Sequence, residues 1–222
     1  MVEPFSDIER RVLGTLVEKQ LTVPDTYPLT LNALVAGCNQ KTSRDPETDH
    51  EPSEVQRSLD DLKARGVVRF VHPSHGARST KFRHVLDDHL GLEAGELALV
   101  SVLLLRGAQT LSELRSRTER AHGFADLDEV EAAMRALATR ADPLVARLEH
   151  QPGQREARWV HLLGDVQHPP ADVEPDVHAA AAPLPVRDEP MLLDRVDDLE
   201  RRLAAVESVL EELGVSPSPG ND

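Results

Sequence analysis

The sequence predicts a mainly α-helical protein with two small β-hairpins, an α+β fold in which one structural unit occurs twice. Three observations support this prediction. Apolar residues recur at helical spacing in six segments, and a pair of β-rich segments follows the third and the sixth of them. A single offset of 77 residues also places one hairpin sequence on the other, matching Val68 with Val145, Phe82 with Trp159 and His84 with His161.

The first half reads as three helices followed by a hairpin. Ser6 and Glu9 form a capping box that starts the first helix, and Leu31, Leu34 and Val35 indicate the second. The third is predicted to begin at Ser53 and to end before Gly66. The segments VVRFV (67–71) and STKFRHVL (79–86) then have the alternation of strands.

The second half repeats this order. A helix ends at Gly107, and Thr110 and Asp126 each start a further helix with a glutamate three residues later. LVARL (144–148) and EARWVHLL (156–163) complete the second hairpin. Three helices followed by a hairpin is the winged-helix arrangement, a relative of helix-turn-helix. We therefore predict two tandem winged-helix domains, residues 1–90 and 91–164.

The C-terminal region has a different composition. Residues 165–190 are rich in Pro, Ala and acidic residues, which predicts a linker, and residues 215–222 are predicted to be a disordered tail. Residues 191–214 predict a coiled-coil helix and a homodimer, with a single amphipathic helix lying on the body as the alternative. The heptad positions alternate in spacing between four and three: Leu192, Val196, Leu199, Leu203, Val206, Leu210 and Leu213.

Charge and composition restrict the classes of function. The net charge of −14 argues against indiscriminate nucleic-acid binding, but residues 165–222 hold 14 acidic and 4 basic residues, so most of the excess lies outside the body. No apolar run resembles a signal peptide or a membrane span, and the one cysteine, Cys38, cannot form an intramolecular disulfide. We expect a cytoplasmic protein with no membrane contact.

The candidate binding residues are cations on the two wings and on the polar loop Asn39–Asp45. The third helix of each unit has a mixed or acidic face, so we expect the wings rather than these helices to meet DNA. Lys41 and Arg44 are expected to extend outward from the loop. The tentative surface for nucleic acid or another anionic partner comprises Lys41, Arg44, Arg78, Lys81, Arg83, Arg155 and Arg158. The alternative is that these cations are solvated or paired, with Phe82 and Trp159 in the core.

Two further patterns have competing interpretations. Arg117 and Arg120 lie three apart on one helix and could bind an anion, but Glu113 is placed to pair with Arg117, which favours a solvated face. The histidines around the first wing lack cysteine partners and suggest no metal site. Since no phosphate loop, nucleophile elbow or paired-carboxylate motif appears, we predict no catalytic residues, no cofactor and no enzyme activity.

Long segments of the sequence resemble the YceH family of uncharacterised bacterial proteins. They are VLGTLVEKQLTVPDTYPLTLNALVAGCNQKTSRDP (12–46), LLLRGAQTLSELRSRTER (103–120) and QPGQREARWVHL (151–162). The resemblance implies tandem winged helices with a C-terminal helical segment, and it implies no established activity. Trp159 and Ser112 depart from the residues usual in that family, which does not affect the fold prediction.

Two functions remain open on the sequence. The first is a DNA-binding or transcription-related protein, with double-stranded DNA as the partner. The alternative is a protein-interaction scaffold or adaptor dimer with another protein as the partner and no nucleic-acid role. Acidic helices and an acidic tail favour the alternative, whereas the cations of the wings favour the first.

Overall fold

The computed structural model describes residues 3–72, 79–148 and 156–164. All of them lie in one compact unit, Met1–Asp172, and the second unit, Val173–Asp222, lies outside the described residues. The predicted linker, the heptad positions from Leu192 to Leu213 and the tail are therefore outside the described part of the chain.

The described residues form a mixed fold of helices and small antiparallel sheets, in agreement with the predicted α+β class. The helices are α1 (Asp7–Thr22), α2 (Leu31–Cys38), α3 (Pro52–Ala64), α4 (Leu86–Leu90), α5 (Ala94–Arg106), α6 (Leu111–Thr118) and α7 (Leu127–Ala138). The strands are β1 (Leu29–Thr30), β2 (Val68–Val71), β3 (Lys81–His84), β4 (Val145–Arg147) and β5 (Trp159–His161). Helices α1 to α3 precede the first hairpin, and the short α4 followed by α5 to α7 precedes the second. No described helix has the length and apolarity needed to cross a membrane.

Local sequence signals fix most helix starts. The side chains of Ser6, Thr110 and Asp126 each accept a hydrogen bond from the backbone N–H three residues later, as predicted. The predicted start of the third helix at Ser53 is wrong, because the N-cap of α3 is Glu51. Pro52 occupies the first helical position, where its missing N–H costs nothing, and Glu54 accepts the Glu51 N–H at 2.8 Å.

The two hairpins have the same register. Val68 lies opposite His84 in the first, and Val145 lies opposite His161 in the second, so the offset of 77 residues inferred from the sequence is confirmed. The sequence did not predict β1, which pairs with β3, or the short helix α4. The second hairpin has a counterpart of β1 in a single bridge between Gln109 and Trp159.

The core joins both halves of the unit. Helices α1 and α5 pack directly together, and a Cβ atom on Gly14 would lie only 2.8 Å from Cγ of Leu105. Phe82 and Trp159 are buried, which confirms their interpretation as core aromatics. The hairpins are therefore fixed on the helices by their inner faces, and their outer faces decide what they present to a partner.

Candidate nucleic-acid interface

The outer face of the first hairpin carries three cations around one apolar side chain. Arg69 on β2 lies directly opposite Arg83 on β3, and Val71 lies opposite Lys81. Arg69, Val71 and Arg83 are exposed and Lys81 is half-buried. We refer to Arg69, Val71, Lys81 and Arg83 as the cationic face.

Strand alternation and inner packing determine this orientation. Successive side chains of a strand point to opposite sides, so burial of one set places the other set outward. On the inner side, Phe70 and Phe82 meet edge to face with ring centroids 4.8 Å apart, and His84 is buried. The backbone N–H of His84 also donates to the Tyr27 hydroxyl at 2.8 Å. The inner face thus anchors the hairpin and holds the arginines in solvent.

The cations of this face are unpaired within the described part of the chain. Arg69, Lys81 and Arg83 form no ion pair with any described residue, although paired arginines are common elsewhere in the unit. Like charges directly opposite each other on a sheet disfavour folding. The hairpin therefore keeps a local positive potential that an anionic partner would relieve.

Arg44 does not belong to this surface. The prediction that it extends outward is wrong, because its side chain is fully buried and its Nη2 lies 2.8 Å from Glu18 Oε2. Arg44 also donates from Nε and Nη2 to the Gly37 carbonyl, in the last turn of α2. Lys41 is exposed, and no ion pair links it to the described residues. Of the two loop cations, only Lys41 remains available to a partner.

The second hairpin differs from the first in charge. The pair equivalent to Arg69 and Arg83 is Ala146 and Val160, so the outer side lacks the opposed arginines. Arg158 donates from Nη1 to the Ala108 carbonyl at 2.8 Å and to Glu113 Oε2 at 3.1 Å. The Glu113 carboxylate that pairs with Arg158 also pairs with Arg117, the helix pair predicted from their spacing.

Two of the predicted wing cations, Arg78 and Arg155, lie outside the described residues. Arg69 was missed, although its position was available from the sequence. Strand alternation that turns Val68, Phe70 and Phe82 inward puts Arg69 and Arg83 on the outer face. This alternation, rather than the density of cations, was the signal that could have identified Arg69.

The exposed faces of α3 and α7 do not add to the positive charge. Helix α3 exposes Glu54, Asp60 and Asp61 along with Arg57, and Gln56 donates to Asp60 at 3.2 Å. On α7, Arg135 is paired with Glu131 at 2.6 Å. These helices therefore present mixed charge, as the sequence indicated, and the cationic face is the stronger candidate for contact with phosphate.

Two of the reactive side chains considered from the sequence, Cys38 and His84, are buried. Burial raises the pKa of the Cys38 thiol to about 11, although the Thr15 hydroxyl and nearby arginines oppose this. Burial lowers the pKa of His84 to about 4, against the opposing charge of Asp87. Within residues 3–72, 79–148 and 156–164, no three His, Cys, Asp or Glu side chains are grouped so as to hold a metal ion.

Comparison with known proteins places this architecture in a family. The family model "Protein of unknown function, DUF480" matches residues 5–154. A "UPF0502 protein" of Dechloromonas aromatica (strain RCB) is 45% identical over 210 residues, covering 94% of this chain and 92% of the relative. A UPF0502 protein of Burkholderia cenocepacia (strain HI2424) is 44% identical, covering 98% of this chain and 93% of the relative. A third, from Geobacter sulfurreducens, is 48% identical over 175 residues, covering 79% and 75%.

Proposed function

We propose that this chain, which belongs to the DUF480 family of uncharacterised bacterial proteins, also known as YceH or UPF0502, is a non-enzymatic tandem winged-helix protein that binds double-stranded DNA. The contact is made by the cationic face of the first hairpin. Such an activity suits a transcription-related role. The arrangement of three helices and a hairpin, found twice, supports the winged-helix interpretation.

The opposition of Arg69 and Arg83 is the observation that carries this proposal. Two arginines at paired positions of the hairpin, with Lys81 two residues from Arg83 on the same face, form a site that suits phosphate oxygens. Arginine binds phosphate through paired N–H donors. Contacts of this kind supply affinity and position a protein on the duplex, but they do not read sequence.

The expected affinity is modest and depends on salt. Three phosphate contacts per bound chain give a slope of about −2.7 in log affinity against log salt, which corresponds to a loss of about 40-fold between 50 and 200 mM. The acidic residues of 165–222 oppose binding, so removal of this segment is expected to strengthen it.

The test is fluorescence anisotropy with a labelled random-sequence duplex at about 50 and 200 mM salt. We expect binding by the full chain, and the double variant Arg69→Gln, Arg83→Gln should lose about two units of the salt slope. The matched control is Arg120→Gln, Arg147→Gln, which removes two exposed cations without a carboxylate partner among the described residues. Binding that is equal in the two double variants, or absent from the full chain at tens of micromolar, contradicts the proposal.

We also propose that the chain forms a homodimer, which would bring two cationic faces to one duplex. The support is the heptad spacing of the sequence from Leu192 to Leu213. Sedimentation equilibrium of the full chain should give the dimer mass, and Leu203→Lys, at the centre of the seam, should give the monomer. An unchanged dimer in this variant would exclude the heptads as the interface.

A further inference from the structure

We infer that the second half of the unit carries a docking groove for a basic, apolar-anchored peptide segment of a partner protein. The groove lies between α6, the start of α7 and β5. We call it the α6–α7 groove and define it by Leu111, Ser112, Leu127, Asp128, Glu131 and Glu156. It is separate from the cationic face and does not depend on the proposed DNA binding.

Two adjoining cavities form the groove. One has a volume of about 470 Å³ and the other about 430 Å³, and both are lined by Ser112 and Leu127. Leu127 lines both cavities and exposes 40% of its surface, so its side chain is available to a bound partner. Phe124 contributes to the lining of the first cavity and Trp159 to that of the second, although each is largely buried. Concave sites that combine apolar and polar side chains are typical of binding sites.

The charge of the rim selects the partner. Asp128, Glu131 and Glu156 line the second cavity against one cation, Arg147, while the first cavity has one residue of each sign, Arg115 and Glu119. Glu131 is paired with Arg135, and Glu156 accepts only a 3.4 Å hydrogen bond from Ser112, so the carboxylates are not fully neutralised. A negative rim repels phosphate and attracts Lys or Arg. The best-fitting occupant therefore has a large apolar side chain flanked by basic residues.

The same argument disfavours occupants from this chain. Residues 165–222 hold 14 acidic and 4 basic residues, so this segment would meet a like-charged rim. The first half, in contrast, carries cations in its hairpin and the second half carries acids at its groove. These two surfaces lie at different places in the repeated arrangement, and their local charges suit partners of different chemistry.

Selection from a library of random 12-residue peptides displayed on phage, against the full chain, tests the inference. We expect enrichment of peptides with one large apolar residue and neighbouring Lys or Arg. Labelled copies of the selected peptides should bind Leu127→Ser about tenfold more weakly than wild type, because the apolar residue of the peptide loses its main apolar contact. Asp128→Asn, Glu131→Gln should also weaken binding and reduce its dependence on salt.

Leu162→Ser is the matched control, since Leu162 exposes 44% of its surface and does not line the groove. It should change affinity less than twofold, and thermal unfolding should verify that each variant is folded. The inference is overturned if no peptide is enriched, if the selected peptides have no net positive charge, or if Leu127→Ser and wild type bind them equally. It is also overturned if the full chain self-associates and Leu127→Ser abolishes this, because the occupant of the α6–α7 groove would then be a second copy of the chain.

Discussion

Arg44 and Glu18 form a buried ion pair, with 2.8 Å between Arg44 Nη2 and Glu18 Oε2 and 3.1 Å between Arg44 Nη1 and Glu18 Oε1. The Arg44 guanidinium also caps the last turn of α2 through the Gly37 carbonyl, and the next residue, Asp45, donates its N–H to the Leu105 carbonyl of α5. The polar loop Asn39–Asp45 therefore joins α1, α2 and α5. Its arginine serves the fold rather than a ligand.

Replacement of this arginine should destabilise the unit. Arg44→Met removes the hydrogen bonds of the guanidinium to Glu18 and to the Gly37 carbonyl, although Lys19 Nζ remains 3.1 Å from Glu18 Oε2. We therefore expect a loss of about 2 kcal/mol in the free energy of unfolding. Urea denaturation measures it. The control Arg135→Met removes an exposed pair with Glu131 and should cost less than about 1 kcal/mol. Similar losses in the two variants would contradict the structural role of Arg44.

His84 should make stability depend on pH. Burial lowers its pKa from 6.5 to about 4, so between these values the unfolded chain binds a proton that the folded chain does not. Stability is therefore expected to fall as pH falls from about 6.5 to about 4, with a slope that approaches about 1.4 kcal/mol per pH unit. Urea denaturation across this range measures the slope for wild type and for His84→Asn.

Only the difference in slope between wild type and His84→Asn tests whether His84 causes this pH dependence, because acidic groups also lose interactions as pH falls. His84→Asn should have the shallower slope. Exposed His89, replaced in the same way, should leave the slope of wild type unchanged. The assignment to His84 fails if His84→Asn retains the full slope.

Gly14 should be required by the packing of α1 against α5. An alanine there would place its Cβ 2.8 Å from Leu105 Cγ and 3.1 Å from Leu104 Cβ, both buried. The better helix propensity of alanine contributes up to about 1 kcal/mol, and we expect overpacking to outweigh it by about 1–2 kcal/mol. Thermal unfolding of Gly14→Ala measures the net effect.

The control for this substitution is Gly123→Ala, since no atom lies within 4 Å of the added Cβ. It should leave the midpoint of unfolding nearly unchanged. If Gly14→Ala is at least as stable as wild type, α1 and α5 can separate slightly, and the close approach at Gly14 is not a constraint.

Cys38 should be unreactive in the folded protein. Its thiol is fully buried and burial raises its pKa to about 11, so little thiolate is present at pH 8. Ellman's reagent should react with less than a tenth of the chains in buffer within minutes and with one thiol per chain in concentrated urea, because Cys38 is the only cysteine. Rapid reaction in buffer would indicate that the end of α2 opens readily.

Several features of the fold could be predicted because they depend on neighbours in the chain. The caps at Ser6, Thr110 and Asp126 follow from hydrogen bonds across one helical turn. The equivalence of the two hairpins follows from the repeat, which matches Val68 with Val145. The start of α3 was misplaced by two residues because Glu51 and Pro52 together give a weaker signal than the serine that follows them.

The candidate site was harder to predict because pairing of charges depends on distant segments. Arg44 and Arg83 look alike in the sequence, each in a polar stretch of its own. Arg44, in the loop, pairs with Glu18 of α1 and is buried. Arg83 lies opposite Arg69 and has no ion pair with a described residue. No local pattern distinguishes these outcomes.

The sequence by itself determined the order of the six longer helices and the two hairpins, the repetition of this arrangement and the burial of Phe82 and Trp159, since these depend on periodicity and on contacts within a few residues. It did not determine β1 or α4. Only the tertiary structure decided which charges remain unpaired. It buried Arg44 against Glu18, paired Arg158 with Glu113 and left Arg69 beside Arg83 in solvent. The physical reason is that an ion pair needs two side chains within about 4 Å, and for distant residues only the folded chain sets that distance.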